Sequence, residues 1–273
     1  MSSKKPLILV TNDDGITSPG ILALAESMKE LGDVVVIAPD KPQSGVGHAI
    51  TINATLRINK TKIHNVKEEY SISGTPVDCV KMALNKILPR KPDLCVSGIN
   101  HGSNISINVI YSGTMSAAIE GAIDGIPSAG FSLMDYSIDA DFSASKEIAK
   151  TICATILSRG LPKDVCLNVN IPPLHLSEIK GIKICRQAKA NWIEKFDERK
   201  DPSGHPYYWL TGEFVNYEEG KTDTDVWAVK NNFVSVVPVQ FDMTGYSAIA
   251  SLEKWKLNES FSVNTSIKKK KHK

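Results

Sequence analysis

Residues 6–19 read PLILVTNDDGITSP, and this stretch decides the class of fold. The apolar run at 7–10 is too short for a helix and ends abruptly at polar residues, which is typical of a strand buried on both faces of a parallel sheet. The Ser18-Pro19 pair favours the start of a helix, which the apolar spacing predicts to continue to Gly32. A second apolar run at 34–38 completes a βαβ unit, so we expect an α/β protein with a doubly wound, mainly parallel sheet.

Alternation of apolar strands with helices continues to about residue 170. In chain order the predicted segments are a strand at 50–58, a helix at 75–88, a strand at 94–97, a helix from about Thr114, a strand at 126–131, a helix at 144–159 and a strand at 165–169. The first of these segments alternates apolar with polar residues, which predicts an edge strand with one wet face.

Residues 192–220 change character, because aromatic residues stand among charged ones and regular periodicity is weak. This pattern predicts a protruding C-terminal arm or hairpin, within about residues 188–234. Its aromatic side chains suggest an oligomer contact or a wall of the substrate site, and packing against its own domain is the alternative. We expect one domain over residues 1–267 that includes the arm, followed by a disordered basic tail at 268–273.

Composition excludes several classes of protein. The chain has 273 residues, of which 42% are hydrophobic and 23% charged, as in folded globular proteins. No apolar run approaches the roughly 18 to 20 residues that span a bilayer, no signal-peptide core is present, and the scattered cysteines fit reduced thiols. We therefore expect a cytoplasmic protein without a membrane partner. RNA binding would rest only on the lysine-rich tail, so nucleic acid is not an expected partner.

Three loops that follow predicted strands carry oxygen-bearing side chains. Asp13 and Asp14 follow the first strand, Ser44 follows the second, and Asn100 follows the strand at 94–97. Because the carboxyl ends of parallel strands meet at one edge of a sheet, we expect these side chains to lie close together. Carboxylate, hydroxyl and amide oxygens suit a hard divalent cation such as Mg²⁺ or Mn²⁺. The simpler alternative is that either acid only caps its turn.

The run Tyr111-Ser112-Gly113-Thr114 immediately precedes a predicted helix that is rich in small residues. Backbone N–H groups at a helix start attract anions, and Ser112 and Thr114 add hydroxyl donors, although capping by Thr114 explains part of the pattern. A hard cation beside an anion-binding helix start indicates phosphoryl transfer or phosphate-ester hydrolysis. The sequence lacks the dinucleotide fingerprint, the Walker A motif, the nucleophile elbow and the zinc-protease motif.

Several longer stretches form a recognisable series along the chain. They are residues 8–15, 38–40 with 43–45, 74–76 with 78–80, 96–100, 111–114, 167–172, 201–202 with 207–210, and 222–223 with 234–238. On this series the chain resembles the SurE family, the survival protein E nucleotidases, over nearly its whole length. The resemblance implies a Rossmann-like fold and a homodimer or homotetramer built with exchanged C-terminal segments.

The resemblance also implies one divalent metal ion per subunit, Mg²⁺ or Mn²⁺, and release of phosphate from nucleoside 5′- and 3′-monophosphates, with short polyphosphate as a further substrate. By motif, the metal ligands fall on Asp13, Asp14, Ser44 and Asn100, and the two aspartates are also the catalytic residues. Substrate binding falls on Asn104, Ser112, Gly113 and Thr114. One stretch departs from the family pattern: at residues 105–108, Asn108 replaces an acid that is usual in the family, and bulkier residues replace glycine.

Two questions stay open at the level of sequence. Water is the expected nucleophile, and an aspartyl-phosphate intermediate on Asp13 or Asp14 is the alternative. A non-catalytic sensor that binds nucleotide or polyphosphate with the same metal would use the same residues. We expect an enzyme, a 5′/3′-nucleotidase, and a phosphate-release assay separates it from a sensor.

Overall fold

Strands and helices alternate along the chain in the computed structural model, which describes residues 5–137 and 139–260. The strands are β1 Leu7–Thr11, β2 Asp33–Pro39, β3 Ile58–Lys60, β4 Glu68–Ile72, β5 Leu94–His101, β6 Ser128–Leu133, β7 Val165–Ile171, β8 Gly181–Ile184, β9 Ala190–Lys200, β10 Pro206–Asn216 and β11 Phe233–Gln240. The helices are α1 Pro19–Met28, α2 Pro76–Met82, α3 Gly113–Ile123, α4 Ser143–Arg159, α5 Asp225–Lys230, α6 Tyr246–Glu253 and α7 Leu257–Ser260. The tail predicted at 268–273 lies outside the described residues.

Within the described residues, nine strands form one sheet in the order β3-β4-β2-β1-β5-β6-β7-β11-β8. Six consecutive strands of the sheet are parallel to one another, namely β4, β2, β1, β5, β6 and β7. On either side of them, β3 pairs antiparallel with β4, and β11 pairs antiparallel with β7. The chain builds outward from β1 in both directions, first through β2 and then through β5. This arrangement confirms the predicted α/β class with a Rossmann-like, doubly wound and mainly parallel sheet.

The first strand is buried on both faces, as its continuous apolar sequence predicts. Ile8 and Val10 pack in one cluster with residues of α1 and α4, and Leu7 and Leu9 pack in a second cluster with residues of α2 and α3. All four side chains are buried. Burial of apolar surface stabilises a folded protein by about 25 cal/mol per Å². Packing in these two clusters therefore holds a layer of helices against each face of the sheet.

The prediction of a strand at 50–58 is wrong, because β3 begins only at Ile58, the last residue of that range, and the structure has no strand at 50–57. Ile52 is 75% exposed, so the alternation of apolar residues does not reflect a buried face. The backbone N–H and the hydroxyl of Thr51 donate to the Asp78 carboxylate at 3.1 and 2.6 Å. A side chain therefore takes the hydrogen bond that a neighbouring strand would have accepted.

The structure confirms only one of the two helix caps predicted at Thr75 and Ser18. Thr75 caps α2 as predicted, since its hydroxyl accepts from the Asp78 N–H at 3.1 Å and the Asp78 carboxylate accepts from the Thr75 N–H. Ser18 precedes α1 but makes no capping bond, because its hydroxyl accepts from Asn12 Nδ2 at 2.8 Å. The same helix ends at Met28, one turn before the predicted end at Gly32.

The arm predicted near the C-terminus is a hairpin in which β9 and β10 pair antiparallel, apart from the main sheet. It belongs to the first of two compact units, which ends at Phe241. The second unit begins at Asp242 and contains α6 and α7. A single domain over residues 1–267 stays a prediction. In the described ranges, no helix is both long and apolar enough to cross a bilayer.

Candidate metal and phosphate site

The loop after β1 brings two carboxylates to the carboxyl edge of the sheet. Asn12 tightens this loop, because its Nδ2 donates to Gly15 O at 2.9 Å and to Ser18 Oγ at 2.8 Å. Asp13 is 5% exposed, whereas the side chain of Asp14 is 20% exposed. The two neighbouring acids therefore have different environments, one buried and one facing water.

The loop after β2 carries Ser44 and is tied to the rest of the site by its backbone. The Gln43 N–H donates to Asp13 O at 2.7 Å, and the Gly47 N–H donates to Tyr111 O at 3.2 Å. One bond joins this loop to the first loop, and the other joins it to the segment before α3. Ser44 is exposed between these two attachments.

Asn100 lies near the end of β5, where the strand is irregular. The pairing of β5 with β6 shifts register between Ser97 and Asn100, and the Gly98–Ile99 peptide bond is cis. A register shift of this kind re-aims the side chains that follow it. Asn100 Nδ2 donates to Gly102 O at 2.7 Å. Among the described residues, no group bonds its Oδ1, which leaves that oxygen able to bind a cation.

The start of α3 packs directly against the first loop. Ser112 caps the helix, since its hydroxyl accepts from the Met115 N–H at 3.0 Å. A Cβ on Gly113 would lie 2.7 Å from Asp13 Cβ, so only glycine permits this approach. The hydroxyl of Thr114 donates to Asp13 Oδ1. The alternative in which Thr114 caps the helix is therefore wrong.

Side chains from these loops line one cleft of about 430 Å³. The structure brings together in it all four predicted metal ligands, Asp13, Asp14, Ser44 and Asn100, and two predicted substrate-binding residues, Asn104 and Ser112. The other two, Gly113 and Thr114, are buried next to Asp13 and do not line the cleft. Their proposed contact with substrate would therefore come from the backbone at the start of α3.

The electrostatics of the cleft favour a cation. Burial raises the pKa of Asp13 to about 6, although the bond from Thr114 opposes this rise, and the neighbouring charge of Asp14 adds to it. Of the described residues that line the cleft, none is Lys or Arg. The two adjacent carboxylates thus have no Lys or Arg beside them in the described lining, and a bound divalent ion would compensate their charge.

The donor set fits a hard metal ion. Within residues 5–137 and 139–260, no three His, Cys, Asp or Glu side chains form a group that could hold a metal. Of the described residues that line the cleft, Asp13 and Asp14 are the carboxylates, and Ser44 and Asn100 offer the further side-chain oxygens that the sequence predicts as ligands. An all-oxygen set of this kind suits Mg²⁺ or Mn²⁺ better than zinc or copper.

A network of buried side chains holds Asn104 at the floor of the cleft. Its N–H donates to Asn170 Oδ1 at 2.7 Å, its carbonyl accepts from Asn168 Nδ2 at 2.8 Å, and its Nδ2 donates to Ser132 Oγ at 2.8 Å. The two asparagines come from β7, within the stretch 167–172 that the sequence singles out. That stretch therefore positions a loop of the site and does not itself line the cleft.

Sequence reasoning missed several residues of the cleft. His101 adjoins Asn100 in the chain, and its N–H and Nδ1 lie 3.3 and 3.4 Å from Asp14 Oδ2. The sequence places His101 in the loop of Asn100, where it could act on protons, although a surface residue is the expected interpretation, and Tyr111 begins the run that ends at Thr114. Trp192 comes from the hairpin, whose aromatic residues suggest a wall of the substrate site as one of the alternatives, and the structure places Trp192 in the lining of the cleft.

A mainly parallel sheet with an acidic cleft at the carboxyl ends of its strands defines the class of α/β protein that binds small ligands at that edge. The family model described as Survival protein SurE matches residues 8–194. The chain therefore belongs to the SurE family.

Curated relatives and a solved structure are similar over nearly the whole chain. The chain is 63% identical to a protein named 5′-nucleotidase SurE from Flavobacterium psychrophilum, over 93% of this chain and 99% of the relative. It is also 63% identical to the protein of the same name from Christiangramia forsetii, over 95% of this chain and all of the relative. The crystal structure of the SurE protein from Aquifex aeolicus is 43% identical, with a TM-score of 0.81 over 92% of this chain and all of that chain.

Proposed function

We propose that the protein is a divalent-metal-dependent phosphatase that hydrolyses nucleoside 5′- and 3′-monophosphates to nucleoside and phosphate, with short polyphosphate as a further substrate. The observation that carries the proposal is the cleft that Asp13, Asp14, Ser44 and Asn100 line together, with no Lys or Arg among its described lining residues. The relatives named 5′-nucleotidase SurE, at 63% identity, support the choice of nucleotides as substrates.

The four ligands would hold one Mg²⁺ or Mn²⁺ ion per subunit. When bound, such an ion polarises a phosphate oxygen and lowers the pKa of a bound water. Ser112 accepts a bond from the helix and keeps its own hydroxyl hydrogen to donate to a phosphate oxygen. Backbone N–H groups at the start of α3 face the same anion.

The two aspartates would have different roles in the reaction, because one is buried and the other is partly exposed. Asp13 is buried and fixed by Thr114, so it serves as a rigid ligand. Asp14 is partly exposed, and its carboxylate is available to accept the proton of the attacking water. Oxygen of water attacks phosphorus as its proton passes to Asp14, the ester P–O bond breaks, and the leaving oxygen takes up a proton from solvent, so that the nucleoside leaves as an alcohol. Rapid-quench trapping of phosphate on Asp13 or Asp14 would instead establish the aspartyl-phosphate route.

A phosphate-release assay on adenosine monophosphate (AMP), with Mn²⁺ or with chelator, tests the proposal. Asp13→Ala and Asp14→Ala should lose at least about 100-fold in metal-dependent turnover and keep a native circular dichroism spectrum. The matched control is Asp124→Ala, which removes an exposed aspartate at the far end of α3 and should leave turnover unchanged. Full turnover by metal-free Asp13→Ala would refute the site, and AMP binding without phosphate release would identify a sensor.

The proposal extends to assembly and location. Apolar side chains on the hairpin are exposed, including Phe196 and Tyr208, and they support a homodimer or homotetramer. Light scattering combined with size exclusion would measure the subunit count. All five cysteines are buried and unpaired, which supports the reducing cytoplasm as the working compartment.

A further inference from the structure

A second pocket adjoins the metal and phosphate cleft. It has a volume of about 370 Å³, and its lining consists of Tyr111, Trp192, Glu194, Leu210, Thr211 and Gly212. Tyr111 and Trp192 also line the first cleft, so the two spaces share these aromatic walls. A ligand whose phosphate lies in the cleft would extend past these rings into the second pocket.

The register of the hairpin explains the shape of this second pocket. Gly212 pairs with Glu194, two residues along the strands from the pair formed by Phe214 and Trp192. Because side chains alternate between the faces of a strand, Trp192, Glu194 and Leu210 project from the same face as Gly212. Gly212 has no side chain, which leaves an open floor between the indole and the leucine.

The chemistry of the pocket suits a nucleoside. Two aromatic rings and a leucine offer flat apolar surface on which a base can stack. Glu194 adds a carboxylate that can accept hydrogen bonds from the polar edge of a base or from the ribose hydroxyls. An apolar pocket with a few polar groups is the usual form of a site for a small organic ligand.

The indole of Trp192 is held in place by two contacts. Its Nε1–H donates to Asn108 Oδ1 at 2.8 Å. Its ring also meets Phe214 edge-on, with the centroids 5.6 Å apart and the planes at 62°. Asn108 lies in the 3₁₀ turn Ser106–Ile110, directly before Tyr111. The turn at Ser106–Ile110 therefore orients Trp192 through the hydrogen bond from its indole, and it continues along the backbone into Tyr111, the other aromatic wall.

The turn that carries Asn108 is itself anchored. The Ser106 N–H donates to the buried Asp225 carboxylate at 2.7 Å, and the Ser106 hydroxyl donates to Ala188 O at 2.8 Å. Ala188 lies two residues before the first strand of the hairpin. The hydrogen bond between Asn108 and Trp192 thus joins two segments that are already fixed to each other, which limits the positions open to the indole.

We propose that the pocket between Tyr111 and Trp192 binds the nucleoside of the substrate, and that Asn108 is the positioning residue that fixes the Trp192 indole for this purpose. The inference rests on the proposed nucleotidase function and deepens it. In this assignment both aromatic rings contact the base and not the phosphate, so they act on affinity for the base. Their loss affects KM for nucleotides and spares phosphate esters that have no base.

Steady-state kinetics with Mn²⁺, on AMP and on ribose 5-phosphate, test the pocket. Trp192→Ala should raise KM for AMP about tenfold and change KM for ribose 5-phosphate less than about twofold. Trp192→Phe keeps a ring and should give an intermediate value. The matched control is Trp209→Ala on the same hairpin, because Trp209 pairs opposite Asp197 and projects from the other face. This control should leave the ratio of the two KM values unchanged.

Asn108 is tested through the same ratio of KM values. Asn108→Ala should raise the ratio of KM for AMP to KM for ribose 5-phosphate by several-fold, because the indole loses its acceptor. Asn108→Asp keeps an acceptor oxygen and should preserve the ratio. In the Trp192→Ala background, Asn108→Ala should add nothing further. A role confined to stability would instead change both substrates together, and that result would overturn the assignment.

Adenosine tests the pocket without catalysis. Calorimetry should detect adenosine binding to the wild-type protein and about tenfold weaker binding to Trp192→Ala. If the wild type binds adenosine in this way but releases phosphate from neither ester, the subsite stands and the nucleotidase proposal fails. If the wild type hydrolyses both esters and Trp192→Ala binds adenosine as tightly as the wild type, the nucleotidase proposal stands and the subsite is wrong.

Discussion

Thr114 donates its hydroxyl hydrogen to Asp13 Oδ1 at the start of α3. Both side chains are buried, so water does not compete for this bond. The bond fixes the orientation of a carboxylate that we assign to metal binding, as partners of metal ligands commonly do. The loop after β1 and the start of α3, about a hundred positions apart in sequence, thus depend on each other at the site.

Loss of the Thr114 hydroxyl should weaken metal binding. Thr114→Val keeps the shape of the side chain and removes the donor, so we expect Mn²⁺ affinity to fall about 10- to 100-fold. Thr114→Ser restores a donor and should recover most of the affinity. Calorimetric titration with Mn²⁺ measures both variants, and an unchanged affinity in Thr114→Val would contradict the role of this bond.

Removal of the Asp13 charge should stabilise the metal-free protein. Folding raises the pKa of this carboxyl from 3.8 to about 6, so the folded state loses stability as pH rises through that interval. A shift of about two units corresponds to about 3 kcal/mol. Asp13→Asn should therefore raise the free energy of unfolding at pH 8 by up to about 3 kcal/mol, measured with urea and chelator. The gain should vanish near pH 4, and a gain that persists there would have another origin.

Metal binding should weaken in mild acid. Protons compete with the ion for Asp13 once the pH falls below its pKa of about 6 in the metal-free protein. The increase in melting temperature produced by Mn²⁺ should be large at pH 7.5 and mostly lost at pH 5. Asp13→Asn provides the control, since its response to Mn²⁺ should be small at both values. An equal increase at both values in the wild type would exclude Asp13 as a ligand.

The buried Asp225 should be essential for stability around the hairpin. Its carboxylate accepts from the N–H groups of Ser106 at 2.7 Å, Ala188 at 2.9 Å and Val226 at 2.8 Å. Asp225→Ala strands these donors, so the free energy of unfolding should fall by about 3 kcal/mol or more. Asp223→Ala removes an exposed acid nearby and should change little. Urea unfolding compares the two, and equal losses would contradict this account.

Glu120 should stabilise the fold at neutral pH. Burial alone would raise the pKa of its carboxyl, but hydrogen bonds from His48 at 2.8 Å and from Lys81 outweigh burial and hold the pKa below its usual value. This stability is present above the ordinary pKa and is lost as pH falls through the lowered one. Glu120→Gln should cost about 1–2 kcal/mol at pH 7 and much less in acid. Urea unfolding at two pH values measures the difference, and Glu30→Gln serves as an exposed control.

The common position of the predicted ligands could be expected from the sequence because each lies at or after the carboxyl end of a strand of a parallel sheet. Strand direction alone then places Asp13, Ser44 and Asn100 at one edge. The roles of the residues around them could not be found in this way. The sequence assigns Thr114 to substrate binding, with helix capping as the alternative, whereas its hydroxyl donates to Asp13 and Ser112 caps the helix. Which of the two hydroxyls faces the helix depends on how closely α3 approaches the first loop.

The strand expected at 50–58 shows why a pattern can mislead. Alternation of apolar and polar residues is the same whether or not a partner strand exists. Here the carboxylate of Asp78, at the start of α2, bonds the backbone and hydroxyl of Thr51. Whether a backbone N–H bonds a side chain or a neighbouring strand depends on which acceptor lies nearer in the folded chain. The periodicity of the sequence carries no information about those distances.

By itself the sequence determined the doubly wound sheet, its two layers of helices and the acids at its edge, because period, capping residues and strand direction are local properties. Only the tertiary structure decided that Trp192 turns toward the cleft, that Asn108 holds its indole, and that Glu194, Leu210 and Gly212 line a second pocket. Those relationships join segments more than 80 residues apart, and they exist only after the hairpin has packed against the turn at Ser106–Ile110. Contact between distant segments depends on the shape of the whole chain, so no local pattern records it.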